Sequence, residues 1–306
     1  MEQRIQELRQ IIHDDPANFQ AMRELASILM DIGENESALK AILYLLKIFP
    51  DEAKLHYNLG IIYEKLRQDD KAINEYQTAT QLEPDDPDYM YNLACAYVNK
   101  KEYENAKILF QKVLNTDTED SNSMFHLGMI NSRQGNSKEA IEFLEKTIEI
   151  NPEDTIARFY LAYEYKRTGR VEEALEQYYK VTEYSPDYSW AYFNIAEIYW
   201  EHGEVVKAIE NLDKTIDLNP HDTKAYEIFI KILLKENNEQ GALAVARKAL
   251  QDNPDNGDLY YVAAKVCKKL KDIPNCQKFL KAAIQNQATL SVPAKELRQE
   301  LKEIGG

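Results

Sequence analysis

The chain is expected to be all-α, a solenoid of stacked helical hairpins, and three observations in its 306 residues carry that expectation. Seven prolines, Pro16, Pro50, Pro84, Pro152, Pro186, Pro220 and Pro254, stand on one 34-residue ruler, and the single gap of 68 residues is twice the period with Thr118 at its midpoint. Columns of like residues recur on the same ruler. No stretch alternates apolar and polar residues as a strand does, although 44% of the chain is hydrophobic. A fixed period of this length means copies of one supersecondary unit, each too small to bury its apolar face alone.

The prolines frame eight full units, 19–52, 53–86, 87–120, 121–154, 155–188, 189–222, 223–256 and 257–290. Before them, residues 1–18 align with the second half of a unit, with Ile5, Ile12 and Pro16 in register and Arg9 out of pattern. Each full unit opens with a helix whose positions 4, 7, 8 and 11 share one face. Position 7 reads Leu25, Leu59, Leu93, Leu127, Leu161, Ile195, Phe229 and Ala263; position 8 is small in all but Ile230. A second helix follows, with Ala38, Ala72, Ala106, Ala140, Ala174, Ala208, Ala242 and Cys276 at position 20 and bulky residues such as Ile42, Tyr76, Phe110 and Tyr178 at position 24. Small residues at 8 and 20 let the two backbones approach, and the large neighbours fill the remaining space. Gly33, Gly135, Gly169 and Gly203, all at position 15, fit the end of the first helix, where glycine is least strained. Proline at position 32 lacks a backbone donor and suits the turn after the second helix. The chain closes with one helix in 291–306, Leu297 and Leu301 inward and Lys295, Glu296, Arg298 and Glu300 outward. The expected division is a half-repeat cap at 1–18, eight 34-residue repeats at 19–290 and a capping helix at 291–306, the polar outer faces of the caps keeping the ends soluble.

These columns resemble those of the tetratricopeptide repeat family. The unit 53–86 carries Leu59-Gly60, Tyr63, Ala72-Ile73, Tyr76, Ala79 and Pro84, the family's signature in nearly complete form, and the resemblance covers residues 19–290. It implies a right-handed superhelix of helix hairpins in which the first helices line a concave side, with positions 2, 5, 6, 9, 12 and 13 facing it. It also implies a non-enzymatic adaptor that holds a peptide segment of a partner protein.

Position 5 of that implied groove reads Arg23, Tyr57, Tyr91, Phe125, Phe159, Phe193, Glu227 and Tyr261, five successive aromatics through the middle. Ile61, Met129, Tyr163, Trp190 and Trp200 lie around them. An exposed apolar strip of this kind marks a binding site, with aromatics as its anchors. A position-5 residue also has a second reading, tucked against the following unit. Trp190 and Trp200 stand where the family pattern asks for no large apolar residue and flank Phe193, which makes that cluster the expected anchor pocket. Position 6 adds Asn58, Asn92 and Asn194, interrupted by His126 and Tyr160. The asparagines resemble the ladder of O-linked N-acetylglucosamine transferase, whose amides match a peptide backbone because each offers a donor and an acceptor. The carboxylate clamp of chaperone-binding members is not matched, since Asp88 has the wrong sign for it. Arg133, Lys166 and Arg167 in the centre, and Lys231, Lys235, Lys265 and Lys269 towards the end, are the cations expected to meet acidic side chains of a ligand.

No enzyme chemistry is visible. The five histidines match no metal-ligand spacing, no glycine-rich phosphate loop occurs, and Ser, Cys and His form no nucleophile motif, so no metal and no cofactor are expected. The net charge of −15 argues against nucleic acid, because neutralising phosphate needs the opposite sign. The charge is uneven: residues 223–306 hold 14 Lys/Arg against 10 Asp/Glu, which leaves −19 on residues 1–222. The start, MEQRIQELRQ, lacks a signal-peptide core and no apolar run is long enough to span a bilayer, so no membrane insertion is expected. Three cysteines suit a reducing compartment, and the expected location is cytoplasmic. Two alternatives stay open: a scaffold that self-associates through the closing helix, and the targeting arm of a larger enzyme such as a glycosyltransferase.

Overall fold

Residues 1–305 are described by the computed structural model, and they form helices and turns with no strand among them. Gly306, the last residue of the expected closing segment, lies outside the described residues. The helices fall into two compact units, Met1–Pro152 and Glu153–Gly306. The first unit contains α1 (Glu2–Asp14), α2 (Phe19–Asp31), α3 (Asn35–Ile48), α4 (Ala53–Lys65), α5 (Asp69–Leu82), α6 (Pro87–Asn99), α7 (Tyr103–Thr116), α8 (Ser121–Gln134) and α9 (Ser137–Ile150). The second contains α10 (Thr155–Arg167), α11 (Val171–Tyr184), α12 (Ser189–Glu201), α13 (Val205–Leu218), α14 (Thr223–Lys235), α15 (Glu239–Asp252), α16 (Gly257–Lys269), α17 (Ile273–Gln285) and α18 (Ala294–Gly305).

Helices pair as hairpins, α2 with α3 through α8 with α9 in the first unit and α10 with α11 through α16 with α17 in the second. Short helices of 13 or 14 residues are marginal alone, so packing of their apolar faces must hold them. Local signals set their ends. Asn18, Asp86, Asp120, Asp154, Asp222 and Asn256 cap the N-termini of α2, α6, α8, α10, α14 and α16, each side-chain oxygen accepting from a backbone N–H of the first turn. Between the two helices of a hairpin the chain turns through one left-handed residue. Gly33, Gly135, Gly169 and Gly203 supply it at φ near 80°, as their column predicts, whereas Arg67, Lys101, Asn237 and Lys271 adopt the same region at φ 55–62° in the other four hairpins.

The small columns do what their size demands. A Cβ on Gly60 would lie 2.5 Å from Tyr76 Cε1, and one on Gly128 would lie 2.8 Å from Leu144 Cγ. Tyr76, Phe110, Leu144, Tyr178 and Leu212 are fully buried behind them. At the N-terminus, α1 packs through Ile5 and Leu8 while Arg9 stays exposed. At the other end α18 packs on α17 and buries Leu297. No helix among the described residues is long and apolar enough to cross a membrane.

Candidate protein-interaction surface

In the first unit the position-5 aromatics are half-buried, and Tyr57 and Tyr91 are tied to the following repeat. The Tyr57 ring lies 4.8 Å from that of Tyr89 and 5.9 Å from that of Tyr76. Its hydroxyl accepts a 3.0 Å hydrogen bond from Asn92 Nδ2, which also donates to the Asp88 carbonyl at 2.8 Å. Burial raises the Tyr57 phenol pKa, with Asp88 and Asp86 adding to the shift. The next repeat repeats the contact. Tyr91 Oη lies 3.2 Å from His126 Nε2, and the His126 ring stacks on Phe110 at 4.9 Å. Desolvation lowers the His126 pKa and pushes the neighbouring Cys95 thiol up to about 11. Phe125 is half-buried beside His126, their ring centroids 5.6 Å apart.

Asn58 is not part of that interlock. It lines a cleft of about 680 Å³ between α2 and α4, with Gln20, Arg23, Ser27 and Ile61. Arg23 is already engaged there, donating through Nε to Glu52 at 3.1 Å and lying 4.5 Å over the Phe49 ring. Arg133 is exposed on α8, with Nη1 donating to Tyr103 Oη at 3.4 Å.

The second unit corrects the expected anchor pocket. Phe159 is half-buried among the rings of Tyr160, Tyr178 and Tyr188, at centroid distances of 5.9, 5.6 and 5.2 Å. Phe193 is only 2% exposed, so its ring belongs to the core rather than to an open face. Asn194 is also buried and spends an N–H on the Trp190 carbonyl at 2.8 Å. Trp200 is half-buried against the core, with Lys231 Nζ 5.0 Å over its ring. Ten residues separate the two tryptophans, about 15 Å of helix rise, so no single pocket holds both. Arg167 also has a structural duty: its Nη2 donates at 2.6 Å to Glu164, a fully buried carboxylate that would be costly without a counter-charge.

What stays open in this unit lies in other columns. Trp190 is 51% exposed at position 2 of its repeat, Ile156 51% exposed at position 2 of the preceding one, and Tyr163 44% exposed at position 9. Trp190 and Tyr163 are legible in the sequence as large apolar residues of groove-facing columns; Ile156 carries the same signal at position 2, one repeat before Trp190. Among the described residues no group of three or more His, Cys, Asp or Glu is arranged to hold a metal ion.

Helical hairpins that leave a face of first helices open define a repeat protein built for contact with other proteins. Family models agree along the chain: TPR repeat at 68–101 and 162–203, YpiA-like C-terminal tetratricopeptide repeats at 87–154, and tetratricopeptide repeat models at 5–53, 193–257 and 233–300. The chain belongs to the tetratricopeptide repeat family, and its general role is protein interaction. No curated protein matches it. Among solved structures it is similar to YrrB, a TPR protein with an unusual peptide-binding site, at 28% identity and TM-score 0.53 over 61% of this chain and 96% of that one. The C-terminal part of a TPR repeat-containing protein from Cytophaga hutchinsonii aligns at TM-score 0.65 and 18% identity, covering 77% of this chain and 97% of that one. A chain of the APC/C hetero-tetramer Cut9–Hcn1 aligns at TM-score 0.56 and 16% identity, covering 87% of this chain and 51% of that one. The last two likenesses speak for the fold alone.

Proposed function

We propose that the chain is a non-enzymatic adaptor that holds a peptide segment of a partner protein against the first-helix faces of its repeats. We take residues 19–290 as eight tandem repeats with 1–18 and 291–306 as caps. The observation that carries the proposal is the exposure of Trp190, with Ile156 and Tyr163, in columns that the family turns toward its ligand. Large apolar side chains left this open are characteristic of contact sites, and tryptophan is prominent among residues that dominate binding energy. The likeness to YrrB, whose structure is described by its peptide-binding site, supports the same mode. Within the first unit Asn58 and the Tyr57–Asn92 pair would border a bound peptide; within the second the buried Phe193 and Asn194 would support Trp190 from beneath. The free thiols of Cys95, Cys267 and Cys276 accord with a reducing, cytoplasmic setting. The self-associating scaffold is less well supported, because Leu297 already commits α18 to its own unit.

Random peptides displayed on phage and selected on the intact chain test the proposal. An enriched consensus is expected, and its affinity by calorimetry should fall at least tenfold, about 1.4 kcal/mol, in Trp190→Ala at unchanged melting temperature. Trp200 is left intact because it packs against the core. The absence of any consensus, or full affinity in the folded variant, would refute the proposal.

A further inference from the structure

A second concave feature lies apart from Trp190, where α14 and α16 touch each other directly. They enclose a cleft of about 490 Å³ whose apolar lining comes from Ile230, Leu234 and Val262. Lys231 and Lys235 line it from α14, and Lys265 and Lys269 from α16. These lysines occupy positions 9 and 13 of two successive repeats, so the 34-residue register sets them in a two-by-two array. One acidic residue, Glu227, also lines the cleft, leaving cations in clear excess.

The array forms no ion pair among the described residues. Among the described residues none of the four ammonium groups lies within 4.0 Å of a carboxylate, Glu227 acting on Lys265 only at longer range, whereas Lys224, Lys248 and Lys268 of the same unit pair with Glu197, Asp217 and Glu300. Like charges four residues apart on a helix are mildly destabilising, so the repeated pairs gain nothing for the fold itself. Aromatic rings help to hold two of them: Lys231 lies over Trp200, and Lys265 Nζ lies 3.9 Å over the Tyr261 ring. In a chain carrying −15, this is a preorganised cationic site with an apolar floor.

We propose that the cleft between α14 and α16 binds an acidic, extended peptide segment of a partner protein, with carboxylates on the lysine array and an apolar side chain on Ile230, Leu234 and Val262. Charge complementarity selects the acid. The spacing also fits, since four helical residues rise about 6 Å and alternate side chains of an extended chain are about 6.6 Å apart. The apolar floor disfavours a phosphodiester backbone, which offers nothing to fill it, and the acidic remainder of the chain repels nucleic acid.

The probe is a blocked, fluorescent hexapeptide of alternating Glu and Leu, titrated into the intact chain at low salt beside its Gln–Leu counterpart and a hexameric oligothymidylate. The acidic peptide is expected to bind at least tenfold more tightly than either, and to weaken as salt rises. Lys235→Gln with Lys269→Gln, two exposed side chains without an ion pair, should lose at least tenfold in affinity while melting like the parent. Trp190→Ala should bind this probe normally, so failure here and failure of the Trp190 surface are separately visible. Equal binding of acidic and neutral peptides, unchanged affinity in the double lysine variant, or preference for the oligothymidylate would overturn the proposal. So would dimerisation at low salt that vanishes in the same variant, which would assign the cleft to a second copy of the chain.

Discussion

Replacing Gly60 by alanine should destabilise the first unit, although alanine is the better helix former. The added Cβ would stand 2.5 Å from Cε1 and 2.6 Å from Cδ1 of Tyr76. That ring is fully buried and cannot swing away. It is also tethered, because its hydroxyl donates to Glu64 Oε2 at 2.9 Å. Overpacking of this kind costs about 1–3 kcal/mol, and losing a hydrogen bond to a charged acceptor costs about 1.5–3 kcal/mol. Against these stands about 1 kcal/mol of helix propensity. The net expectation is a loss of about 1.5–5 kcal/mol. The second unit supplies the comparison. There Ala162 takes the column of Gly60, and the buried hydroxyl of Tyr178 has no hydrogen-bond partner. Tyr178→Phe should therefore be neutral or slightly stabilising, while Tyr76→Phe should cost about 1.5–3 kcal/mol. Urea unfolding followed by circular dichroism, with hydrogen exchange to localise the effect, measures all three. A Gly60→Ala protein as stable as the parent, or equal losses from the two Tyr→Phe changes, would refute the packing account.

Two further outcomes follow from the backbone and from a buried imidazole. Arg67, Lys101 and Lys271 hold left-handed φ values where four other hairpins use glycine; each change to glycine should stabilise by about 0.5–1 kcal/mol, the left-handed penalty less the extra chain entropy of glycine, and the triple variant should melt higher. The His126 pKa lies below its ordinary 6.5 because burial disfavours the cation. Unfolded chains then bind the proton first, so stability is full above 6.5 and is lost as pH falls from there through the folded value. His126→Asn should flatten that slope in melting curves recorded against pH, and an unchanged slope would show that other groups dominate.

Much of the local architecture was legible before any coordinates. The proline ruler, the alanine column of the second helices and the paired Gly60 and Gly128 encode a hairpin and its closest approach, because each depends on neighbours within one 34-residue unit. Glycine at position 15 located four of the left-handed turns. The other four are occupied by Arg, Lys and Asn, whose strain only the backbone reveals. The Asx caps at position 34 form a column of their own, Asp86, Asp120, Asp154, Asp222 and Asn256, which the capping rule explains.

By itself, then, the sequence determined the fold class, the hairpin unit and the overall acidity of this protein, since repetition multiplies a local signal until it outweighs any single exception. Which side chains remain for a partner was decided by tertiary structure. Tyr57 meets Asn92 and Tyr91 meets His126, partners 35 residues away, so a stripe that looks continuous in sequence is largely consumed in joining one repeat to the next. Phe193 is buried while Trp190, three residues before it, is open. Arg167 neutralises Glu164, whereas the four lysines of α14 and α16 face a cleft with no ion-pair partner among the described residues. Helical periodicity assigns a residue to a face of its own helix; only the stacking of neighbouring hairpins determines how much of that face is covered.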